Sequence, residues 1–381
     1  MFDKFIANQA AKIEKVRTRQ SNTKMNLIKT YSIIAVVAGH CEGGGIEFPM
    51  GNWIAPYFYY MAIFVFVSGY FYKKESDDAN FFSFIKTKAL RLVVPYFIWN
   101  VVYGLLNTFF RGIGVIDYGD PISLYSLFVR PWMDGHQFHF NIPAWFLLSL
   151  FIVSVLTYIM RRLMKLLHIL NEEVLLVITF IISVISIYLA QKVKAGFLLP
   201  YFQMGFVYKK YESLLGKHKA VLIGVITCCV YALLVLSKGD IGIGVVFAKF
   251  TGNPLILTAL TILEILLTAT ICEILAPAFC KSSIVRKIGD NTFSIMMHHG
   301  IILFSVNLVI YIMSKFVDIS GFDVAAFKST LWYAYPWRDS RIYLFYVILA
   351  VAVPIVIKDI SNKAVLRVYN RKNKSAEEKL T

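Results

Sequence analysis

Apolar runs of roughly 18–23 residues recur along almost the whole chain, each closed by lysines and arginines or by a polar loop. A run of that length spans a bilayer as an α-helix, in which every backbone N–H and C=O is satisfied without water. Ten spanning helices are predicted, the sixth of them short. The first goes outward from about Asn26 to Cys41, where Gly43, Gly44 and Gly45 break it. The second returns through Ile54–Tyr72 to Lys73 and Lys74. Lys86, Lys88 and Arg91 lead into the third, which has Pro95 in its first turns and ends near Phe110. The fourth starts at Pro143 and stops at Arg161, Arg162 and Lys165. The fifth covers about residues 173–190 and the sixth about Gly196–Tyr208. The seventh covers about 220–236, the eighth about Pro254–Ala276, the ninth about 290–313 and the tenth about Ile342–Ile357.

This pattern predicts an all-α integral membrane protein, a bundle of about ten transmembrane helices with the N- and C-termini cytoplasmic. Residues 1–25 form a basic amphipathic N-terminus on the cytoplasmic surface, residues 26–358 the bundle, and residues 359–381 a basic cytoplasmic tail. Every inner loop is basic, as the positive-inside bias requires. Lys192 and Lys194, placed outside, make the turn between the fifth and sixth runs the weakest part of the topology. The expected location is the cell (plasma or inner) membrane, and the lipid bilayer is the first partner.

Composition sharpens this picture. The 381 residues are 58% hydrophobic and 16% charged, against about 45–50% and about 25% in soluble domains. The net charge of +16 suggests nucleic acid in a soluble protein, but here the cations cluster in short loops. No nucleic-acid module is present, and no nucleic-acid partner is expected. A basic cytoplasmic face attracts anionic headgroups or a phosphorylated cofactor. The five cysteines (Cys41, Cys228, Cys229, Cys272, Cys280) show neither a disulfide framework nor metal spacing and read as packing residues. The N-terminus has no signal-peptide pattern. No internal repeat suggests the inverted halves of a transporter.

Ionisable groups at membrane depth are costly, so each is a candidate for function. At about 100° per residue, Lys29 and His40 nearly eclipse one another, about 16 Å apart, and Asn26 falls close to the same line. A neutral His40 can take a proton from a hydroxyl nucleophile; the plainer alternative is a hydrogen bond to the next helix. His298 and His299 are adjacent and point to different faces. Asn291, Ser294, His298 and Ser305 share one face, which favours His298 as part of an interior polar seam, while His299 shares its face with Thr292. Glu264 pairs with a histidine or lysine, or binds substrate hydroxyls, or forms a structural ion pair. His136 and His139 form an HxH pair without a third ligand at useful spacing, so no metal is expected. Lys86, Lys88 and Arg91 either hold orientation or clamp phosphates. There is no P-loop, Rossmann fingerprint or GxSxG elbow.

Several segments together resemble the membrane-bound acyltransferase 3 family, which includes bacterial enzymes that O-acetylate surface polysaccharides. They are VVAGH ending at His40, FVFVSGY (Phe64–Tyr70), KTKALRLVVPY (Lys86–Tyr96) and IGDNTFSIMMHHGII (Ile288–Ile302), with PAWFLLSL (Pro143–Leu150) as a further match. The chain departs from the family where Asn26 and Lys29 stand at acidic and arginine positions. It departs again at Lys88, where arginine is usual, and at Met296, where tyrosine is usual. Family register puts the late histidine at His299. The resemblance implies acyl transfer across the membrane, with acetyl-CoA as cytoplasmic acyl donor (a cosubstrate) and its phosphates near Lys86, Lys88 and Arg91. A carbohydrate hydroxyl accepts from outside, His40 acts as general base, and Asn26 and Lys29 orient donor or helix. Polysaccharide synthesis machinery is a further expected partner. The external aromatic residues Trp132, Trp332, Tyr335 and Trp337 either stack on sugar or form the interfacial belt. Two other functions fit a helical bundle with intramembrane histidines. One is a polysaccharide or lipid-linked sugar exporter without transferase activity; the other is a non-catalytic subunit of a polysaccharide synthase.

Overall fold

A computed structural model describes residues 6–7, 9–11, 13–14, 22–41, 60–133, 138–190, 194–238, 240–245, 248–331, 333 and 340–377. The main helices are α1 (Thr23–Cys41), α2 (Tyr60–Tyr70), α3 (Phe81–Gly112), α4 (Trp145–Leu166), α5 (Glu172–Ala190), α6 (Lys194–Leu215), α7 (Lys219–Leu236), α8 (Pro254–Phe279), α9 (Ser283–Asp290), α10 (Thr292–Met313) and α11 (Ser340–Glu377). Each of the ten apolar runs carries a helix. Among the described residues, seven helical stretches are long and apolar enough to cross a membrane. The protein is a helical membrane protein, and among the described residues the exception to helix is one small hairpin. In it β1 (Gly242–Gly244) pairs antiparallel with β2 (Lys249–Thr251), Ile243 opposite Phe250.

Local chemistry sets several helix ends. Asn80 starts α3 by accepting hydrogen bonds from the backbone N–H of Phe82 (3.0 Å) and Ser83 (3.4 Å). Asn253 does the same for α8 with Leu255 and Ile256, and Pro254 sits where its missing N–H has no partner to lose. Ser282 caps α9 through the N–H of Val285.

Three features differ from the sequence expectation. The ninth run forms the single helix α10, but a separate short helix, α9, precedes it, ending at Asp290 with Asn291 between the two. A 3-10 turn over His139–Ala144 precedes α4, so Pro143 lies outside the α-helix proper. The tenth helix does not stop at Ile357 but continues to Glu377. After Pro354 that stretch contains no breaker and is rich in straight-chain helix formers. Gly43, Gly44 and Gly45, the first part of the second run, Lys192 and most of residues 1–21 lie outside the described residues.

Helix α1 runs down the middle, with α2, α8, α9, α10 and α11 packed around it. Beyond α2 lies α6, then α4 and α5; α3 packs on α4, and α7 on α8. The α2–α6 crossing is closest at two glycines. A Cβ at Gly69 would lie 1.8 Å from the Phe202 carbonyl oxygen, and one at Gly205 would lie 2.0 Å from that of Phe66. Only residues without a Cβ let the two backbones meet there, which assigns a packing role to the glycine of the SGY segment.

Charged locks hold the helix ends level. Arg161, 1% exposed, donates through Nε and Nη2 to Asp77 and through Nη1 to Glu172 at 2.5 Å. Tyr72 donates to Asp77 and Gln203 to Glu172, so both carboxylates are further satisfied. Lys24, buried at the foot of α1, pairs with Glu212 of α6 and lies 3.6 Å from Glu273 of α8. Tyr70 donates to the same Glu212 at 2.8 Å. The start of α1 is thereby fixed to its neighbours.

Candidate active site

The polar stripe of α1 lies along the α9–α10 junction. At its foot Asn26, buried, packs against Gly289: a Cβ there would come 3.0 Å from Asn26 Cβ, Cγ and O. One turn on, Lys29 Nζ lies 3.8 Å from the Asp290 carboxylate. At its far end His40 Nδ1 lies 2.8 Å from His299 Nε2 on α10. The helical register that lines up Asn26, Lys29 and His40 is therefore matched, residue for residue, by Gly289, Asp290 and His299.

The two imidazoles are parallel within 14°, with centroids 4.9 Å apart. A nitrogen–nitrogen separation of 2.8 Å is too short for face-to-face rings, so they meet edge to edge, the geometry of an in-plane N–H···N bond. The proton positions follow from the partners. His299 Nδ1 lies 3.0 Å from the Ile295 carbonyl oxygen, which only accepts, so that nitrogen carries hydrogen. In the uncharged ring Nε2 of His299 is then the acceptor, and His40 Nδ1–H donates to it. His40 is left with its lone pair on Nε2. A backbone carbonyl four residues away thus selects the tautomer of His299, and His299 that of His40.

Adjacent positions on α10 point about 100° apart, and His298 faces a different wall. It is half-buried, its Nδ1 2.6 Å from the hydroxyl of Tyr103 and its ring edge-on to Trp99 at 4.4 Å, both on α3. The seam expected through His298 does not face the interior as one line. Ser294 is buried, His298 is half-buried against α3, and Ser305 is exposed. It is His299, fully buried, that lies against α1.

Glu264 is 2% exposed in the middle of α8. Its expected pairing with a histidine or lysine is not found: among the described residues no hydrogen bond or ion pair links it to one. Among the described residues its Oε2 has no hydrogen-bond partner. Lys86, Lys88 and Arg91 occupy the first three turns of α3, where Lys86 and Arg91 are exposed and Lys88 lies 5.5 Å over the Phe84 ring. The predicted site residues therefore divide. Asn26, Lys29, His40 and His299 share one helix interface, His298 a second wall, and the α3 cations and Glu264 stand elsewhere.

Sequence reasoning missed Asp290, Ile295, Trp99 and Tyr103. The i−4 spacing of Ile295 to His299 was available as a signal; nothing in the sequence pairs Lys29 with Asp290 or His298 with Tyr103. Among the described residues no group of histidine, cysteine and carboxylate side chains could hold a metal ion; His136 lies outside them. Cys228, Cys229, Cys272 and Cys280 are free thiols. Trp132 is exposed beside Phe97, while Trp332, Tyr335 and Trp337 lie outside the described residues.

A buried histidine pair with a defined lone pair has the chemistry of a general base. A family model described as an acyltransferase domain matches residues 22–359, nearly the whole chain. The chain belongs to the acyltransferase 3 family. Comparison with curated proteins and with solved structures finds no match.

Proposed function

We propose that this acyltransferase moves an acetyl group from cytoplasmic acetyl-CoA to a hydroxyl of an extracytoplasmic carbohydrate, with His40 as general base. The observation that carries the reading is the Ile295–His299–His40 hydrogen-bond chain, which leaves Nε2 of His40 as the basic nitrogen. The acceptor hydroxyl gives its proton to that nitrogen as its oxygen attacks the thioester carbonyl. A C–O bond forms and the C–S bond breaks. The leaving thiolate then takes the proton back from His40, so that ester and free thiol are the products. While His40 holds the proton, the bridging hydrogen can shift to His299, and the Ile295 carbonyl stabilises the charge there.

In this reading ten helices span the cell (inner) membrane with both termini in the cytoplasm. The feet of α1 and α3 then lie on the cytoplasmic side, as the basic loops favour. Lys86, Lys88 and Arg91 draw the polyanionic donor to that face. Lys29, paired with Asp290, and Asn26, packed on Gly289, fix the rotation of α1 that aims His40 at His299.

The test is transfer from radiolabelled acetyl-CoA to cell-surface carbohydrate, using the purified protein in vesicles. Labelled ester is expected with wild type and is lost in His40→Ala. Carbohydrate export without ester formation, unaffected by His40→Ala, would sink the proposal.

A further inference from the structure

A cavity of about 410 Å³ opens at the foot of α1. Thr23 and Asn26 of α1 form one wall; Lys281, Ser282, Ser283 and Arg286, around the start of α9, form another. The lining residues supply two cations, three hydroxyls and an amide, and no carboxylate is among them. Arg286 Nε also reaches Asp290, at 3.8 Å, one turn further along α9. A larger cavity of about 480 Å³ beside Arg161 offers the opposite case. There Lys165 pairs with Asp78, Lys210 with Glu173, and Arg161 with Asp77 and Glu172. Three of its four cations are thus matched by carboxylates, and the fourth, Lys74, lies over the Phe206 ring. The cavity at the foot of α1 instead presents donors, and a phosphate group is an acceptor with charge to match.

Position adds to chemistry. Asn26 lines this cavity and begins the stripe that ends at His40, 14 residues on, a rise of about 21 Å. A donor whose phosphates sit at Asn26 needs a long, thin arm to bring an acyl group to His40. We propose that this cavity holds the nucleotide phosphates of the acyl donor, with its pantetheine arm running along Asn26, Lys29 and His40. The proposal rests on the acetyl-CoA reading above, and it moves the phosphate site from the α3 cations to the α8–α9 turn. A phospholipid headgroup offers the same phosphate chemistry, so the test separates the two sources.

The experiment is calorimetric titration of the full-length protein with CoA. It is run in phospholipid-free detergent, then in nanodiscs of phosphatidylcholine with and without phosphatidylglycerol. Lys281→Gln/Arg286→Gln is compared with wild type and Arg91→Gln, and thermal unfolding confirms that each is folded. Lys281→Gln alone serves if the double variant does not fold. The double variant is expected to weaken CoA binding about tenfold or more, Arg91→Gln by less than about threefold, and phosphatidylglycerol to leave wild-type binding unchanged. Wild-type binding with an unaltered double variant overturns the proposal and leaves the acyltransferase reading standing. Phosphatidylglycerol that displaces CoA from wild type but not from the double variant assigns the cavity to lipid and overturns it too. No CoA binding by wild type at millimolar concentration removes both the donor reading and this site.

Discussion

Lys29 and Asp290 face one another across 3.8 Å, one at the lower end of α1 and the other where α9 gives way to α10. Eleven residues above Lys29, on the same side of α1, His40 meets His299 of α10. The ion pair and the imidazole pair are two fixings of one interface. The lower one sets the rotation of α1, and the upper one uses it.

Removing His40 or His299 is expected to affect turnover rather than donor binding. His40→Ala deletes the proposed base and should lower kcat by about 10²–10⁴-fold. His299→Ala leaves the base in place but removes the acceptor that selects its tautomer, so a smaller loss of about 10–100-fold is expected, as for other groups that orient a histidine. Initial rates at saturating acetyl-CoA, with KM for the donor measured alongside, check both. A His299→Ala enzyme with wild-type kcat would show that the carbonyl–imidazole chain has no part in the chemistry.

Gly69→Ala and Gly205→Ala should each destabilise the bundle. The added methyl meets a carbonyl oxygen at 1.8 Å or 2.0 Å, and backbone cannot swing aside as a side chain can. Overpacking of this kind costs about 1–3 kcal/mol or more. Lowered unfolding midpoints in detergent are expected for both. Because the two substitutions push the same helices apart, the double mutant should lose less than the sum.

Arg161→Ala should be the more damaging change in the lock on α4. It leaves Asp77, 5% exposed, and Glu172 as neighbouring carboxylates without their shared cation. Breaking a buried pair from one side costs about 3–5 kcal/mol. Asp77→Asn keeps one accepting oxygen and leaves Arg161 paired with Glu172, so it should cost less. Thermal unfolding of the two variants orders them; equal midpoints would mean the network is better solvated than its burial indicates.

The apolar runs were legible because bilayer length and the basic loops act on sequence directly, and every run carries a helix. The α1 stripe was legible for the same reason: register within one helix is arithmetic. What one helix turns toward another is not. Spacing along α10 favoured His298, because polar residues share its face. Yet the interior is defined by where α1 and α3 stand, and that depends on contacts far apart in sequence. The short α9 went unseen because its eight residues form no apolar run of spanning length. The role of Gly69 was hidden in a motif that looked chemical, since only the position of Phe202, on another helix, shows that the constraint is steric.

The two adjacent histidines should therefore be separable. His298 bonds to Tyr103 and packs on Trp99, and it forms no hydrogen bond to His40 among the described residues. His298→Ala leaves the buried Tyr103 hydroxyl without its partner, a loss of about 1–3 kcal/mol, and opens space beside Trp99. It does not disturb the Ile295–His299–His40 chain. The expected outcome is a lower unfolding midpoint with kcat within a few-fold of wild type, the reverse of His299→Ala. His298→Asn, which can still bond to Tyr103, should recover part of the stability. A folded His298→Ala protein whose kcat falls as far as that of His40→Ala would place His298 in the chemistry, and the orienting role would pass to it from His299.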